Sequence, residues 1–141
     1  MSKPVAVTLF SGFGGADIAL REAGYELAAG LEKDPRIAEV GNANLGGYIQ
    51  VGDILETDPR IFPACDLLHF SPPCTNASVA NAGGELNESG LRETPLDRAL
   101  ASKCCEFIRV LSPSVVTLEN VYPYRKFDSF KMILNAISEM G

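Results

Sequence analysis

The chain has 141 residues, of which 46% are hydrophobic and 21% charged, and its formal net charge is -6. These values are ordinary for one globular domain, which at this length buries roughly two thirds of its unfolded surface. They exclude a basic tail, a low-complexity tract and a membrane span of about 20 apolar residues. No apolar signal segment follows Met1, so we expect an intracellular, cytoplasmic protein.

The use of cysteine excludes two further kinds of site. The four cysteines, Cys65, Cys74, Cys104 and Cys105, form no C-x-x-C pair, and His69 is the only histidine. We therefore predict neither a metal centre nor a disulfide framework. Three of the cysteines are interpreted as small buried hydrophobes, whereas Cys74 is a candidate for chemistry.

Hydrophobic patterning predicts five strands that alternate with helices. Short β-branched or apolar runs indicate strands, and apolar residues at helical spacing indicate helices. Asp34 and Pro35 are typical of a helix start, and Gly24 of a helix end. In chain order we predict strand 5–10, helix 16–23, strand 25–31, a helix from 35 to about 44–47, strand 48–51, strand 66–70, a long loop over 75–95, helix 96–111, strand 114–118 and helix 127–140.

This alternation predicts an α/β fold with a Rossmann-like, doubly wound parallel sheet of strand order 3-2-1-4-5. Ligands of such sheets bind beyond the carboxyl ends of the strands. Nearly every chemically capable residue of this chain follows a predicted strand end. Those that do are the glycine-rich turn 11–15, Glu32, Asp53, Cys74 and Glu119.

The first half of the predicted site would bind a nucleoside. Gly12, Gly14 and Gly15 lack a Cβ, so the backbone can approach a ligand closely. Glu32 lies 20 positions after Gly12, where a carboxylate receives the hydroxyls of a ribose. Asp53, at the end of the third strand, could accept a hydrogen bond from an adenine amino group. The alternative is that the glycines only form a turn and the acids only cap helices.

Asp17 narrows the choice of nucleoside. It occupies the place of the third glycine of the G-x-G-x-x-G motif, which disfavours a pyrophosphate and hence a dinucleotide oxidoreductase. A nucleoside without phosphates fits this turn better. S-adenosylmethionine is such a nucleoside.

The second half of the predicted site would carry a nucleophile. Pro72 and Pro73 fix the backbone before Cys74, so the thiol points in a defined direction. The predicted strand order places Cys74 and Glu119 on adjacent strand tips. A thiolate and a carboxyl group beside a cofactor suit attack on an electron-poor ring. The thiolate adds to one ring carbon, the carboxyl group donates to a ring nitrogen, and the neighbouring carbon can then take a methyl group.

Three motifs, in this order and spacing, resemble the cytosine C5 DNA methyltransferase family. They are Phe10-Ser11-Gly12-Phe13-Gly14-Gly15, Pro72-Pro73-Cys74 and Glu119-Asn120-Val121. The resemblance spans residues 5–141 and implies the S-adenosylmethionine-dependent methyltransferase type of sheet, incomplete at its C-terminal side. It implies S-adenosyl-L-methionine as the cofactor and double-stranded DNA as the substrate. It also implies that the cytosine is flipped out of the duplex for methylation at C5.

The resemblance implies roles for single residues. Cys74 would add to C6 of the cytosine, Glu119 would contact N3, and Asn120 would hold the strand tip. Ser78 would contact a phosphate from a loop that closes over DNA. Glu32 would bind the ribose. The residues implied to bind the cofactor are Phe10, Gly12, Phe13, Gly14, Gly15, Glu32, Asp53, Ile54, Pro73 and Leu100.

Three positions depart from the family pattern. Thr8 stands where an acidic residue usually opens the first motif. Lys33 replaces an apolar residue that packs on adenine, although its aliphatic stem can substitute. Thr75 replaces the usual glutamine after Cys74.

The family pattern also continues beyond residue 141, with a cytosine-holding arginine motif, a target-recognition domain and further strands. The 141 residues would then be the cofactor-binding and catalytic-core portion of one domain. The resemblance implies a fragment, a split-enzyme subunit or a truncated product. The unpaired edge of its fifth strand predicts either poor stability of the chain alone or a tight partner. That partner or C-terminal fragment would carry the target-recognition domain. In a bacterium the protein would be nucleoid-associated and part of a restriction-modification system.

Two alternatives remain open at this point. A tRNA-directed relative would share the fold and the chemistry. A non-catalytic module that binds the cofactor and assists another subunit would share the fold but would need no nucleophile.

Overall fold

The computed structural model describes residues 2–80, 85–88 and 90–141. Within these residues the chain forms an α/β fold around one parallel sheet of order β3-β2-β1-β4-β5, as predicted. The strands are β1 (Val5–Leu9), β2 (Glu26–Glu32), β3 (Ile49–Val51), β4 (Leu67–Phe70) and β5 (Val115–Leu118). The helices are α1 (Gly15–Glu22), α2 (Pro35–Leu45), α3 (Pro95–Leu111) and α4 (Asp128–Ser138), with 3-10 turns at Pro59–Ile61 and Tyr122–Lys126.

The differences from the predicted elements are local. Helix α3 begins at Pro95 because the side chain of Thr94 accepts from the Asp97 backbone in a capping box. Helix α4 ends at Ser138, two residues earlier than predicted. The 3-10 turns were not predicted. Residues 75–80, 85–88 and 90–94 contain no helix or strand, as predicted for the loop, and 81–84 and 89 lie outside the described residues.

The main core lies on one face of the sheet, under α3 and α4. Alternate residues of the central strands point into it, among them Leu9 of β1 and Phe70 of β4, both fully buried. Phe107 of α3 packs edge-on against Phe62, with ring centroids 5.3 Å apart. Each such large side chain stabilises the fold by about 1.5–3 kcal/mol through its burial. This core fixes β1 and β4, whose carboxyl ends carry the site.

Glu93 anchors the end of the loop after β4. Its buried carboxylate accepts hydrogen bonds from the backbone of Asp128 (3.2 Å) and of Ser129 (2.7 Å). These two N–H groups lie in the first turn of α4 and have no partner within that helix. The loop is therefore tied to the start of α4.

Candidate functional site

A cavity of about 290 Å³ opens at the carboxyl ends of the strands. This is near the lower end of the size range of small-molecule sites. Six of the residues predicted to bind a cofactor line it. They are Phe10, Glu32, Asp53, Ile54, Pro73 and Leu100.

Glu32, the last residue of β2, is held in one orientation by backbone donors. The N–H of Gly12 donates to one carboxylate oxygen (2.9 Å) and the N–H of Asp34 to the other (3.0 Å). A carboxylate has about four acceptor positions, so two remain for a ligand. The arrangement can receive the paired hydroxyls of a ribose.

Asp53 follows β3 and forms an ion pair that the sequence did not predict. Its Oδ2 lies 2.6 Å from Nζ of Lys33, and its Oδ1 accepts from the backbone of Leu55 (3.0 Å). The hydrogen bond from Lys33, together with that from Leu55, holds the pKa of the Asp53 carboxyl below its usual value. Lys33 and Asp53 both line the cavity. Lys33 therefore brings a positive charge to the cavity wall in addition to its aliphatic chain.

Phe10 has a backbone conformation that is unusual for an aromatic residue. Its φ is 58°, in the left-handed region. Gly12 follows with a φ of 58° as well. Backbone strain of this kind concentrates at functional sites. Here it turns the chain from β1 so that Phe10 lines the cavity and the N–H of Gly12 reaches Glu32.

The remaining residues of the glycine-rich turn do not line the cavity. Phe13 is 61% exposed, and Gly15 opens α1 with no atom near its missing Cβ. A Cβ on Gly14 would lie 2.3 Å from Cδ1 of Leu45, so this glycine permits contact between the turn and α2. Cofactor contacts by Phe13, Gly14 and Gly15 stay predictions from the family resemblance.

Cys74 lies four residues beyond the end of β4. Its side chain is exposed, whereas Pro72 before it is buried. The Cys74 carbonyl accepts from the N–H groups of Ala77 (3.0 Å) and Ser78 (2.8 Å), which closes a turn directly after the cysteine. The thiol is thus accessible and is flanked by constrained backbone on both sides.

The other three cysteines differ from Cys74. Cys104 and Cys105 are buried in α3, and Cys65 is half-buried. Burial raises the pKa of Cys65 to about 11 and also raises the pKa of Cys104 and Cys105. These thiols are poor nucleophiles, as expected of small buried hydrophobes.

The tip of β5 lies beside the tip of β4, as the predicted strand order requires. The N–H of Glu119 donates to the carbonyl of Phe70 and so extends the ladder between the two strands. The side-chain amide of Asn120 donates to the carbonyl of Pro72 (2.9 Å). Asn120 therefore ties β5 to the segment that carries Cys74. The Glu119 side chain is exposed at the same rim.

Ser78 lies one turn beyond Cys74. Its hydroxyl accepts from the backbone of Ala80 (3.2 Å), and its side chain is half-buried. The segment is also held by Asn76, whose amide donates to the Asp97 carboxylate at the start of α3 (2.9 Å). The predicted phosphate contact of Ser78 stays a prediction.

Thr8 lies in the other layer of the protein, away from the cavity. It is fully buried, and its hydroxyl donates to the carboxylate of Asp17 over 2.6 Å. Ser11 lies 2.8 Å from the same hydroxyl. The carboxylate that Thr8 lacks is thus supplied to this position by α1.

Six lining residues were not among the predicted cofactor residues. Leu31 and Gly52 directly precede predicted site residues, and their place at strand ends was the available signal. Leu96 lies in the first turn of α3, where the sequence carried no signal. The six are Leu31, Lys33, Gly52, Leu55, Ser71 and Leu96.

Across the described ranges 2–80, 85–88 and 90–141, no group of three or more His, Cys, Asp or Glu residues could hold a metal ion. No helix in this part of the chain is both long and apolar enough to cross a membrane.

Solved methyltransferase structures share this fold. Dnmt2 methyltransferase of S. pombe superposes with a TM-score of 0.73 at 19% sequence identity, covering 98% of this chain and 41% of that one. A putative DNA modification methyltransferase encoded within a prophage of E. coli superposes with a TM-score of 0.74 at 19% identity, covering 96% and 38%. At these identities the likeness establishes the fold alone.

A relative in sequence is the type II methyltransferase M2.BsuMI of Bacillus subtilis. It is 31% identical over 143 residues, an alignment that covers 96% of this chain and 34% of M2.BsuMI. The chain thus spans about a third of that relative's length. The family model described as C-5 cytosine-specific DNA methylase matches residues 6–141.

The cofactor of this family is S-adenosyl-L-methionine. The residues present fit such a group, because the cavity combines apolar walls with the oriented carboxylates of Glu32 and Asp53. The match of the family model over almost the whole chain, on a fold of the methyltransferase type, shows that the chain belongs to the C-5 cytosine-specific DNA methylase family.

Proposed function

We propose that this chain is the cofactor-binding and nucleophile-carrying part of a DNA (cytosine-5-)-methyltransferase. The observation that carries the proposal is the position of Cys74. It is an exposed thiol on the same sheet edge as a cavity with two oriented carboxylates. A protein that only bound the cofactor would not need an accessible thiol there.

Cys74 would act as the nucleophile. Its thiolate adds to C6 of a cytosine that has been extruded from the duplex, and the C5–C6 π electrons move to C5. Glu119, as the acid, donates a proton to N3, so that the ring does not accumulate negative charge. Once C5 carries the methyl group, a base removes the C5 proton and the Cys74 thiolate leaves from C6. N3 then returns its proton to the Glu119 carboxylate, which restores the neutral aromatic ring.

The cofactor would be held mainly by side chains that line the cavity. Glu32 accepts from the ribose hydroxyls, and Asp53 with Ile54 lies at the adenine. Phe10 and Pro73 shape the walls. When bound, S-adenosyl-L-methionine supplies the methyl group.

The chemistry is tested by trapping with 5-fluorocytosine. Fluorine at C5 cannot leave as a proton would, so the covalent adduct persists. We incubate the chain with S-adenosyl-L-methionine and a random-sequence DNA duplex in which 5-fluorocytosine replaces cytosine, and look for a denaturation-resistant complex. The expected result is one adduct, formed in higher yield when the C-terminal part or partner is present, with the modified peptide containing Cys74.

The matched variants are Cys74→Ser and Cys65→Ser. The first should abolish the adduct and the second should leave it unchanged, because Cys65 is half-buried with a raised pKa. An adduct that survives Cys74→Ser would overturn the proposed role. A duplex RNA and a tRNA that contain 5-fluorocytosine test the tRNA-directed alternative.

Cofactor binding has a readout that is independent of catalysis. Isothermal titration calorimetry with S-adenosylhomocysteine should show that Glu32→Gln lowers the binding affinity about tenfold or more, since a hydrogen bond to a charged group contributes about 1.5–3 kcal/mol. Glu22→Gln, an exposed change at the end of α1, is the matched control and should bind as the wild type does. Equal affinities for the two variants would remove Glu32 from the site.

The target-recognition function would come from a C-terminal fragment or a partner subunit. The proposal rests on the length comparison, in which this chain covers 34% of M2.BsuMI, and on the unpaired outer edge of β5 in the described sheet. The trapping assay is therefore run with the chain alone and with the assembly isolated with it from native cells. An adduct that forms equally well with the chain alone would contradict the need for a partner.

A further inference from the structure

The described part of the chain leaves a small positive surface uncompensated next to the candidate site. We call Tyr122, Arg125 and Lys126 the basic corner; all three belong to the 3-10 turn Tyr122–Lys126, directly after Glu119-Asn120-Val121. The chain has 12 basic and 18 acidic residues. Six of the basic residues form ion pairs with carboxylates, and Arg125 and Lys126 are not among them.

The acids that follow the corner in the fold are already engaged. Asp128 pairs with Lys131 over 2.9 Å. The carboxylate of Glu93 is buried and accepts from the first turn of α4. The positive charge of Arg125 and Lys126 therefore faces solvent without a carboxylate partner within the described residues, although the chain as a whole is acidic.

Tyr122 holds one of these charges in place. Its side chain is 73% exposed, and the guanidinium carbon of Arg125 lies 4.0 Å from the centre of its ring. This cation–π contact holds the guanidinium against the exposed ring. Pro123 fixes the backbone between the two side chains. An exposed aromatic ring and adjacent free cations are the side-chain types that contact nucleic-acid backbones.

The corner is anchored beside the nucleophile. Tyr124, in the middle of the turn, is 2% exposed and packs in a small core with Phe127 and with Ala77 of the segment after Cys74. Asn120, two residues before Tyr122, donates to the carbonyl of Pro72. The corner and the Cys74 segment are thus joined by side-chain packing and by one hydrogen bond.

We propose that the basic corner binds backbone phosphates of double-stranded DNA next to the target cytosine, independently of sequence. Arg125 and Lys126 supply the two phosphate contacts, and Tyr122 orients Arg125. This inference rests on the proposed function, because it takes the nucleic acid that carries the target cytosine to be DNA. It assigns part of the phosphate binding to this chain itself, although the net charge of the chain is -6.

The salt dependence of binding tests the two phosphate contacts. Binding of the chain to a fluorescein-labelled duplex is measured by anisotropy with S-adenosylhomocysteine present, between about 50 and 200 mM NaCl. The plot of log K against log salt concentration has a negative slope, and each lost phosphate contact reduces the magnitude of that slope by about 0.9. The magnitude should therefore be smaller by about 1.8 in the double variant R125Q/K126Q, which should also bind all duplex sequences more weakly.

The matched control is R60Q/R109Q, which removes the same charge. Arg60 and Arg109 are exposed and already paired with Asp58 and Glu139, away from the corner. This control should keep the wild-type slope. Equal slopes for the two double variants, or no binding of the wild-type chain at the lowest salt, would overturn the proposal. Tighter wild-type binding to duplex RNA, or loss of a protein partner with DNA binding unchanged, would also overturn it.

Two more arms complete the test. Tyr122→Ala should weaken DNA binding, whereas Tyr122→Phe, which keeps the ring over Arg125, should not; equal effects would remove Tyr122 from the site. The 5-fluorocytosine trapping assay is run on the same wild-type sample as the binding measurement. If no 5-fluorocytosine adduct forms but DNA binding still depends on Arg125 and Lys126, the proposed chemistry is wrong and the proposed phosphate contacts stand. The failure of one proposal can therefore be distinguished from the failure of the other.

Discussion

The hydroxyl of Thr8 donates to the carboxylate of Asp17 over 2.6 Å, and neither side chain has any exposure to solvent. Thr8 lies on β1 and Asp17 on α1, so this bond joins the two elements that flank the glycine-rich turn. The other oxygen of Asp17 has no hydrogen-bond partner among the described residues. The Thr8 hydroxyl is therefore the main side-chain donor that compensates a buried carboxylate.

Thr8→Val should destabilise the fold by about 1–3 kcal/mol, because it leaves that carboxylate buried without its donor. The free energy of unfolding in urea, followed by circular dichroism, measures the loss. Thr75→Val is the matched control at an exposed position and should stay within about 0.5 kcal/mol of the wild type. Equal stability of the two variants would show that the bond contributes nothing.

Gly14→Ala and Gly15→Ala separate two roles within the same turn. Gly14 has a φ of 87°, and a Cβ there would lie 2.3 Å from Cδ1 of Leu45, so alanine should cost about 1–3 kcal/mol. Gly15 begins α1 with open space around it, so alanine should be neutral or stabilise by up to about 1 kcal/mol. Urea unfolding midpoints give both values. A loss at position 15 as large as that at position 14 would contradict this structural distinction.

The stability of the fold should depend on pH through His69. Burial lowers the pKa of His69 below its ordinary value, although the carboxylates of Asp17 and Glu119 act in the opposite direction. A lowered pKa means that the unfolded chain binds this proton more readily than the folded chain does. The contribution to stability is therefore complete above about pH 6.5 and is lost progressively as the pH falls towards the lower, folded pKa.

His69→Gln removes this dependence while leaving all carboxyl groups in place. Urea unfolding of the wild type and of the variant at about pH 7.5 and 5.5 should show a smaller loss of stability on acidification for His69→Gln. Thr117, whose hydroxyl lies 2.9 Å from Nδ1 of His69, is unchanged in both proteins. An equal or larger loss in the variant would contradict the direction of the pKa shift.

Cys74 should be the first cysteine to react with N-ethylmaleimide. A rise in pKa from 9.0 to about 11 lowers the thiolate fraction of Cys65 about a hundredfold relative to an ordinary cysteine. Cys104 and Cys105 are buried as well. Peptide mass spectrometry after brief labelling at neutral pH should find one modified residue, and Cys74→Ser should remove it. Prior labelling of Cys65 would contradict the assignment.

Asn120→Ala should loosen the segment that carries Cys74. Loss of the 2.9 Å bond to the Pro72 carbonyl removes about 1 kcal/mol and the side-chain tie between the β5 tip and the segment that carries Cys74. Hydrogen–deuterium exchange in a peptide covering 71–80 should become faster. Asn135→Ala, at an exposed position of α4, serves as the comparison and should leave that peptide unchanged.

Local patterns were sufficient to predict the order and type of the nine helices and strands defined above. Alternating short apolar runs and amphipathic stretches predicted the strand order, and with it the adjacent positions of the β4 and β5 tips that precede Cys74 and Glu119. Asp34 as a helix cap was also predicted, since capping depends on neighbours in the chain. The 3-10 turns were missed because such short turns have no hydrophobic period to detect.

Local sequence patterns were therefore enough to predict the fold class, the edge of the sheet where the site lies and the family to which the motifs point. The side-chain contacts, in contrast, depend on how the elements pack in three dimensions. This packing paired Lys33 with Asp53, supplied Thr8 with the carboxylate of Asp17 and left Arg125 uncompensated beside Tyr122. Periodicity depends on the nearest neighbours along the chain, whereas these contacts join side chains that only the packing of helices and turns at the sheet edge brings together.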